Sequence, residues 1–293
     1  MGSDDGRAWR LAMPVVALWR TDGTLQVGLE PPGGLLIDDP RPAMERVLVA
    51  LRTPRTRADL LRIGGHGADE WLDRLVEALG GCGLLRPHCP RTGPITVIGR
   101  GRLASQISDE LLQQVAQPVR LVWPGATGTP RSVLELRWRY ADRLQFSNHW
   151  GYRAEGCGLT VVTAQAAEAD RGVLAQLVAD AQPYLVVRAS DLGAIVGPLV
   201  APGRTPCHRC EDLYRTTVDP VWPRLLAQLC RGRPPPERLT LAWAASTAAL
   251  HALSWIEGSL PDSIGAGVEL AADRQVRLRP IRAHPACGCL AYG

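Results

Sequence analysis

The sequence predicts a mixed α/β protein in two parts: a small winged-helix-like α+β module over residues 1–90, then a larger α/β domain over residues 94–293 closed by a metal clamp. Three observations carry this. Two short cysteine pairs, Cys207-x-x-Cys210 and Cys287-x-Cys289, stand far apart in the chain, with the second almost at its end. A buried-strand run, Ile95-Thr96-Val97-Ile98, passes directly into Gly99-Arg100-Gly101 and a helical stretch. Before Pro94 the pattern differs, with three short strand signals followed by three short amphipathic helices.

In the first part, Met13 to Trp19 and Leu25 to Leu29 are apolar stretches, and the Asp22-Gly23 between them is a hairpin signal. A third strand, Gly34 to Ile37, stops at Asp38-Asp39-Pro40. A helix over Pro42–Leu51 places Met44, Val47, Leu48 and Leu51 on one face. Thr56 caps a second helix, and Gly67 to Leu79 forms a third with Trp71, Leu75, Val76 and Leu79 in helical spacing. Leu84-Leu85 begins an extended stretch, and Arg86 to Gly93 reads as the linker.

The second part opens as β-α-β. After Ile95–Ile98 and the turn, a helix runs from about Leu103 to Val115 and leads to a strand over Val119–Trp123. The turn is G-x-G-x-x-A, with Ala104 at the third glycine position, which is the Rossmann-like pattern. Further strands are expected at Leu159–Val162 and Leu185–Arg188, and no element is assigned between residues 124 and 158. Helices are expected after Cys210 and over Trp222–Leu229, with Arg233–Pro236 as a loop. Leu239 to Gly258 is apolar all round and is expected to be buried. Gly265 to Leu278 supplies two closing strands around Asp273.

Two paired cysteine knuckles make the spacing of a closed, tetrahedral, structural Zn²⁺ site formed by Cys207, Cys210, Cys287 and Cys289. Four thiolates leave no position for a reacting water, so a catalytic metal is disfavoured. The remaining cysteines, Cys82, Cys89, Cys157 and Cys230, are single. For Cys157 and Cys230 no base lies at a meaningful spacing, which favours a buried small side chain over a nucleophile. His284, beside the last knuckle, reads as a ligand or as a group orienting one. All 33 basic residues counted as Lys or Arg are arginine, so any mechanism needing a lysine of this chain is excluded. They are dispersed rather than interleaved with aromatics, which argues against a nucleic-acid partner. The acidic opening Met1-Gly2-Ser3-Asp4-Asp5 is unlike a signal peptide and no membrane association is expected, so the expected compartment is the cytoplasm.

From residue 94 onward this layout resembles the ThiF-like, ubiquitin-activating-enzyme-like adenylyltransferase superfamily. The resemblance rests on the first βα unit, the Cys207/Cys210 knuckle ahead of a helix, the Ala-rich helix and the closing His284-Pro285-Ala286-Cys287-Gly288-Cys289. The stretch Asp191 to Val200 leading into Pro206-Cys207-His208-Arg209-Cys210 resembles the ocin-ThiF-like branch, which accompanies YcaO-type cyclodehydratases in making modified ribosomal peptides. The first module then resembles a PqqD-like domain, which takes a leader peptide as an added strand. That resemblance places the peptide groove between Leu35, Leu36 and Ile37 on the third strand and Trp71, Arg74 and Leu75 on the third helix.

In active members ATP sits on the glycine turn, a carboxylate after the second strand holds the ribose, and Mg²⁺ is held by an aspartate. Here Gly99, Gly101 and Ala104 keep the turn, and Asp191 stands where a metal-binding aspartate is sought. The second strand ends instead in Trp123-Pro124, no lysine is present, and Ser147-Asn148 falls too far from the turn to match the family motif. Gly99 and Gly101 are equally explained by a helix packing closely on its strand. The expectation is therefore a protein with a structural Zn²⁺, with no catalytic residue assigned. It would bind a precursor leader and present it to a YcaO-type enzyme. An active adenylyltransferase using Mg²⁺-ATP is the runner-up, and a non-enzymatic homodimeric scaffold is the third reading.

Overall fold

A computed structural model describes residues 8–12, 16–29, 34–88, 93–149, 158–164, 167–230 and 236–290. The chain divides into two units, residues 1–90 and 91–293. The stretches Met13–Val15, Cys89–Arg91 and Cys157, together with most of the Arg233–Pro236 loop, lie outside the described residues.

In the smaller unit β1 (Ala8–Leu11), β2 (Ala17–Trp19), β3 (Leu25–Val27) and β4 (Leu35–Ile37) precede α1 (Pro42–Ala50). Then follow β5 (Arg55–Thr56), α2 (Arg57–Gly64), a 3₁₀ turn at Ala68–Glu70, α3 (Leu72–Gly81) and β6 (Leu85–His88). The strands form two antiparallel sheets, β5-β1-β6 and β2-β3-β4. Asp22-Gly23 turns the second sheet's first hairpin: Gly23 has φ 86° and Asp22 Oδ1 accepts from the Thr24 N–H at 3.0 Å. Thr56 caps α2 in a reciprocal box with Asp59, each side chain accepting the other's backbone N–H at 3.2 Å. Leu25, Val27, Val47, Leu51, Leu60, Leu72 and Leu79 meet in a fully buried core. Each of the larger side chains contributes about 1.5–3 kcal/mol by leaving water.

Three details differ from the sequence reading. β1 and β5 were not expected, because four and two residues give too little alternation to register as strands. The third helix begins at Leu72 rather than Gly67, whose φ of 74° starts a 3₁₀ turn instead. The extended stretch after Leu84 continues to His88, because Arg86 and His88 pair with Arg10 and Ala8 of β1, so the linker is shorter than Arg86–Gly93.

The larger unit runs β7 (Ile95–Ile98), α4 (Gly101–Gln114), β8 (Val119–Val122), α5 (Arg131–Tyr140), β9 (Leu144–Ser147), β10 (Leu159–Thr163) and α6 (Arg171–Ala179). It continues with β11 (Tyr184–Ser190), β12 (Gly193–Val200), α7 (His208–Val218), α8 (Trp222–Leu229), α9 (Arg238–Ile256), β13 (Ala266–Ala271) and β14 (Val276–Pro280). One eight-stranded sheet has the order β14-β13-β12-β11-β10-β7-β8-β9. The five strands from β9 to β11 are parallel, and β12, β13 and β14 add antiparallel to one side. The order reverses between β7 and β10, the switch point beside which open α/β sheets bind ligands. Ile107, Leu111 and Leu112 of α4 and Ala244, Ala248 and Ala252 of α9 pack on one face. Leu174 and Leu177 of α6, with Cys207 and Cys210, pack on the other.

The segment left unassigned holds α5 and β9, started by Pro130 at the helix N-cap. α6 was also missed; Asp170 caps it by accepting from the Gly172 and Val173 N–H groups. The expectation that the Ala-rich helix is buried is met on one face only. α9 is long and apolar enough to cross a membrane by composition, yet its alanine face packs on the sheet while Leu239 and Leu250 are exposed.

Candidate functional site

The cysteine pairs converge. Cys207 is the N-cap of α7 and Cys210 lies in its first turn, joined by a Cys210 N–H to Cys207 carbonyl bond of 3.0 Å. In the second knuckle the His284 Nδ1 accepts the Ala286 N–H at 3.1 Å and the His284 carbonyl accepts the Cys287 N–H at 2.9 Å. Gly288, with φ 70°, turns the chain so that Cys287 and Cys289 face the same way. His284 therefore shapes the knuckle, and its ring meets Tyr214 edge-on at 4.6 Å. The four Sγ atoms all lie within 4.8 Å of one another, with Cys207–Cys287 at 3.5 Å and Cys210–Cys289 at 3.4 Å. These are free thiols, too far apart for S–S bonds of about 2.05 Å. A tetrahedron with ~2.3 Å metal–sulfur bonds has edges of roughly 3.8 Å, so the cluster could hold a metal ion. Burial pushes the thiols of Cys207, Cys287 and Cys289 up to about 11 in the absence of a cation. Burial acts on Cys210 too, but the N–H groups of His284 and Cys207 hold it below the ordinary thiol value. The adjacent His208 Nδ1 lies 2.7 Å from the Tyr184 hydroxyl; burial, aided by Arg171, lowers that imidazole to about 4, so it stays neutral.

The glycine turn lies at the switch point, where β7 passes into α4. A Cβ on Gly99 would fall 1.7 Å from Thr163 Oγ1, at a φ of 150°. Thr163, ending β10, fills that space and donates to the Ile98 carbonyl at 3.2 Å. Gly101 has φ 76° and open space around it, and Ala104 is fully buried where α4 meets the sheet. The end of β8 presents Trp123, half-buried against the core, with the Arg100 guanidinium lying against Gly125. Asp191 is exposed in the β11–β12 turn, two strands across the sheet from β7. Ser147 and Asn148 tie the end of β9 locally: Asn148 Nδ2 donates to the Ala126 carbonyl and Ser147 Oγ accepts the His149 N–H, each at 3.2 Å. Cys230 is half-buried beside the Ala169 carbonyl, 3.6 Å away.

In the smaller unit, Leu35, Leu36, Ile37, Trp71, Arg74 and Leu75 line one groove of about 290 Å³, joined by Asp39, Arg41 and Met44. β4 is the outer strand of its sheet. Arg20–Thr24 and Gly28–Val16 backbone bonds bracket Gln26, so Gln26 pairs towards β2 while Leu25 and Val27 pair towards β4. By that alternation the N–H and carbonyl of Leu36 face the open edge.

Sequence reasoning missed one polar cluster. Glu168, almost fully buried, receives Arg188 at 2.7 Å, Arg171 at 3.1 Å and Arg215 at 3.5 Å. Arg171 also grips Asp212 in a two-pronged contact of 2.8 and 3.0 Å, and Arg215 lies 4.5 Å over the Trp222 ring. Burial raises the Glu168 carboxyl, but Arg188, Arg171 and Arg215 together hold it below its ordinary value. The cluster joins the loop after β10, the start of α6, β11 and α7, which no local pattern connects.

No protein-family model and no curated protein sequence matches the chain. Among solved structures, the crystal structure of E. coli MccB with ATP superposes with a TM-score of 0.60 at 14% identity, covering 96% of this chain and 99% of that one. The fold is ThiF/MccB-like. The Microcin C7 biosynthetic enzyme MccB in complex with N-formylated MccA gives 0.59 at 13% identity, covering 97% and 99%. A heterocyclase in complex with substrate and cofactor gives 0.55 at 14% identity, covering 97% of this chain and 39% of that longer one. The MccB-like fold thus extends over both units, the N-terminal ninety residues included.

Proposed function

We propose that this chain binds the leader of a ribosomal precursor peptide and presents it to a partner that modifies the peptide, without adenylating it. The observation that carries the reading is the groove beside β4. An outer strand whose Leu36 backbone groups face outward, next to Trp71, Leu75 and Met44, is suited to take an extended peptide as a further strand. The module is accordingly read as PqqD-like and winged-helix-like. Two likenesses of fold support it: MccB, solved with the MccA peptide, and a heterocyclase solved with its substrate. The partner implied by the resemblance is a YcaO-type cyclodehydratase. The non-catalytic part of the reading is supported by Trp123 at the end of β8, the Thr163 side chain against Gly99, and a chain without lysine. Adenylyl transfer depends on positioned positive charge at the phosphates. The cysteine cluster is read as a structural Zn²⁺ site holding the C-terminal segment to α7.

The test is affinity capture from native extract with the full-length protein and its Leu36→Pro variant, followed by mass spectrometry. Proline removes the outward N–H of β4 without removing a bond to β3. The expected result is a Cys/Ser/Thr-rich precursor and an ATP-using enzyme retained by the parent, with the precursor lost in the variant. Equal retention by both would reject the groove as the peptide site.

A further inference from the structure

The larger unit has a second cavity, of about 360 Å³, between α7 and the antiparallel side of the sheet. It is separate in the fold from the glycine turn of β7. Four guanidinium groups, of Arg188, Arg215, Arg279 and Arg282, line it against a single carboxylate, Glu211. That carboxylate is already engaged by Arg215 at 2.5 Å and faces Arg188 at 3.9 Å. Arg188 is the informative residue. Its side chain is only 8% exposed, one NH group is bound to Glu168 at 2.7 Å, and its Nε is buried without a hydrogen-bond partner among the described residues. Its other NH group stands 3.9 Å from Glu211, beyond hydrogen-bond distance, and is the donor Arg188 can offer at the cavity wall. Arg279 is half-exposed, with only a long 3.4 Å contact to Glu269, and Arg282 is exposed without a carboxylate partner among the described residues. The lining therefore ends in three arginines with donors to spare, one at the buried end and two towards solvent. The rest of the wall is apolar, from Ile195, Ile281 and Tyr214.

We propose that this cavity binds a small organic oxyanion, a carboxylate or phosphate on an apolar body, with its oxygens on Arg188, Arg279 and Arg282. Guanidinium forks match both oxyanions by paired N–H···O bonds, and the volume suits a compact small molecule. The site is independent of the peptide groove, so either reading can fail without the other.

The experiment is calorimetry on the full-length protein at low salt with benzoate and phenyl phosphate, and with benzamide as the neutral counterpart. One or both anions bind one per chain and benzamide does not; which anion binds more tightly identifies the oxyanion class. Arg279→Glu and Arg282→Glu, both at exposed side chains, each weaken binding at least tenfold. Ile195→Phe keeps every arginine but fills the cavity, and it abolishes binding with an unchanged far-UV circular dichroism spectrum. Should Ile195→Phe misfold, the two arginine variants decide alone. No binding of either anion up to about 10 mM, where a free energy of a few kcal/mol would already register, overturns the proposal. So does affinity unchanged by both arginine substitutions.

Discussion

Replacing Glu168 by glutamine removes the one anion on which three arginines converge. At an effective dielectric near 20, each contact of 2.7 to 3.5 Å represents roughly 5–6 kcal/mol of gross attraction, most of it offset by the desolvation of buried groups. The net cost is set by what is left behind. Arg188, with a side chain only 8% exposed, keeps its charge and loses its shortest partner. Breaking one member of such a buried pair costs about 3–5 kcal/mol. The lower end is expected here, since Glu211 and Asp212 remain nearby and glutamine still accepts a hydrogen bond. The assay is urea unfolding of the full chain, read by pulsed hydrogen exchange in peptides covering β11 and α7, which confines the measurement to the larger unit. Adding Arg188→Met to Glu168→Gln should restore much of the loss, because the stranded charge is gone. Glu135→Gln, in a helical pair whose side chains are 93% and 62% exposed, serves as the control and should cost nothing measurable. A loss for Glu168→Gln no larger than that control would refute the argument. The same carboxyl has a pH signature. Its folded value lies below the ordinary 4.5, so its contribution is complete above that pH and is lost as pH falls through the depressed value. Acid unfolding of the parent should therefore include a step that is missing from Glu168→Gln.

The purified protein should carry about one zinc per chain by mass spectrometry of metals, and Cys287→Ser should lose it together with the protection of α7 from exchange; a metal-free parent with α7 fully protected would remove the clamp. Gly99→Ala should destabilise the larger unit by about 2–4 kcal/mol, combining overpacking against Thr163 with an unfavourable φ, and Thr163→Ala should relieve part of that cost. If Gly99→Ala is thermodynamically silent, the glycine is not there for packing. Titration with Mg²⁺-ATP should give no heat at millimolar nucleotide, and saturable binding would instead favour the adenylyltransferase reading.

What could be read from the sequence followed how local each signal is. The capping box at Thr56, the hairpin at Asp22-Gly23, the β-α-β opening and the cysteine knuckles are written in residues a few positions apart, and the structure has each of them. The groove's place came from the resemblance to a PqqD-like module, and the six residues it named line one groove in the structure. β1 was invisible because its pairing with β5 and β6 joins residues far apart, and two or four residues carry no period. The Glu168 cluster was invisible for the same reason, its members arriving from the loop after β10, from the start of α6, from β11 and from α7. α9 misled in a more instructive way. Alanine and leucine on every face read as full burial, yet the sheet covers only the alanine side, because small side chains let a helix lie close while Leu239 and Leu250 stay outside.

The glycine turn and the arginine cavity occupy different parts of the larger unit. At the switch point Thr163 fills the space above Gly99, and Trp123 lies at the end of β8. The chain has no lysine. Arginine is abundant instead, and Arg171, Arg188 and Arg215 are committed to Glu168. Arg188 binds Glu168 through one NH group and also lines a cavity whose rim carries two more guanidinium groups. The bond to Glu168 holds the guanidinium in place, so its other NH group is already oriented before an anion arrives. Glu168→Gln should therefore weaken oxyanion binding as well as stability, whereas an increase in affinity on removing the carboxylate would mean that Glu168 competes for Arg188 rather than positions it.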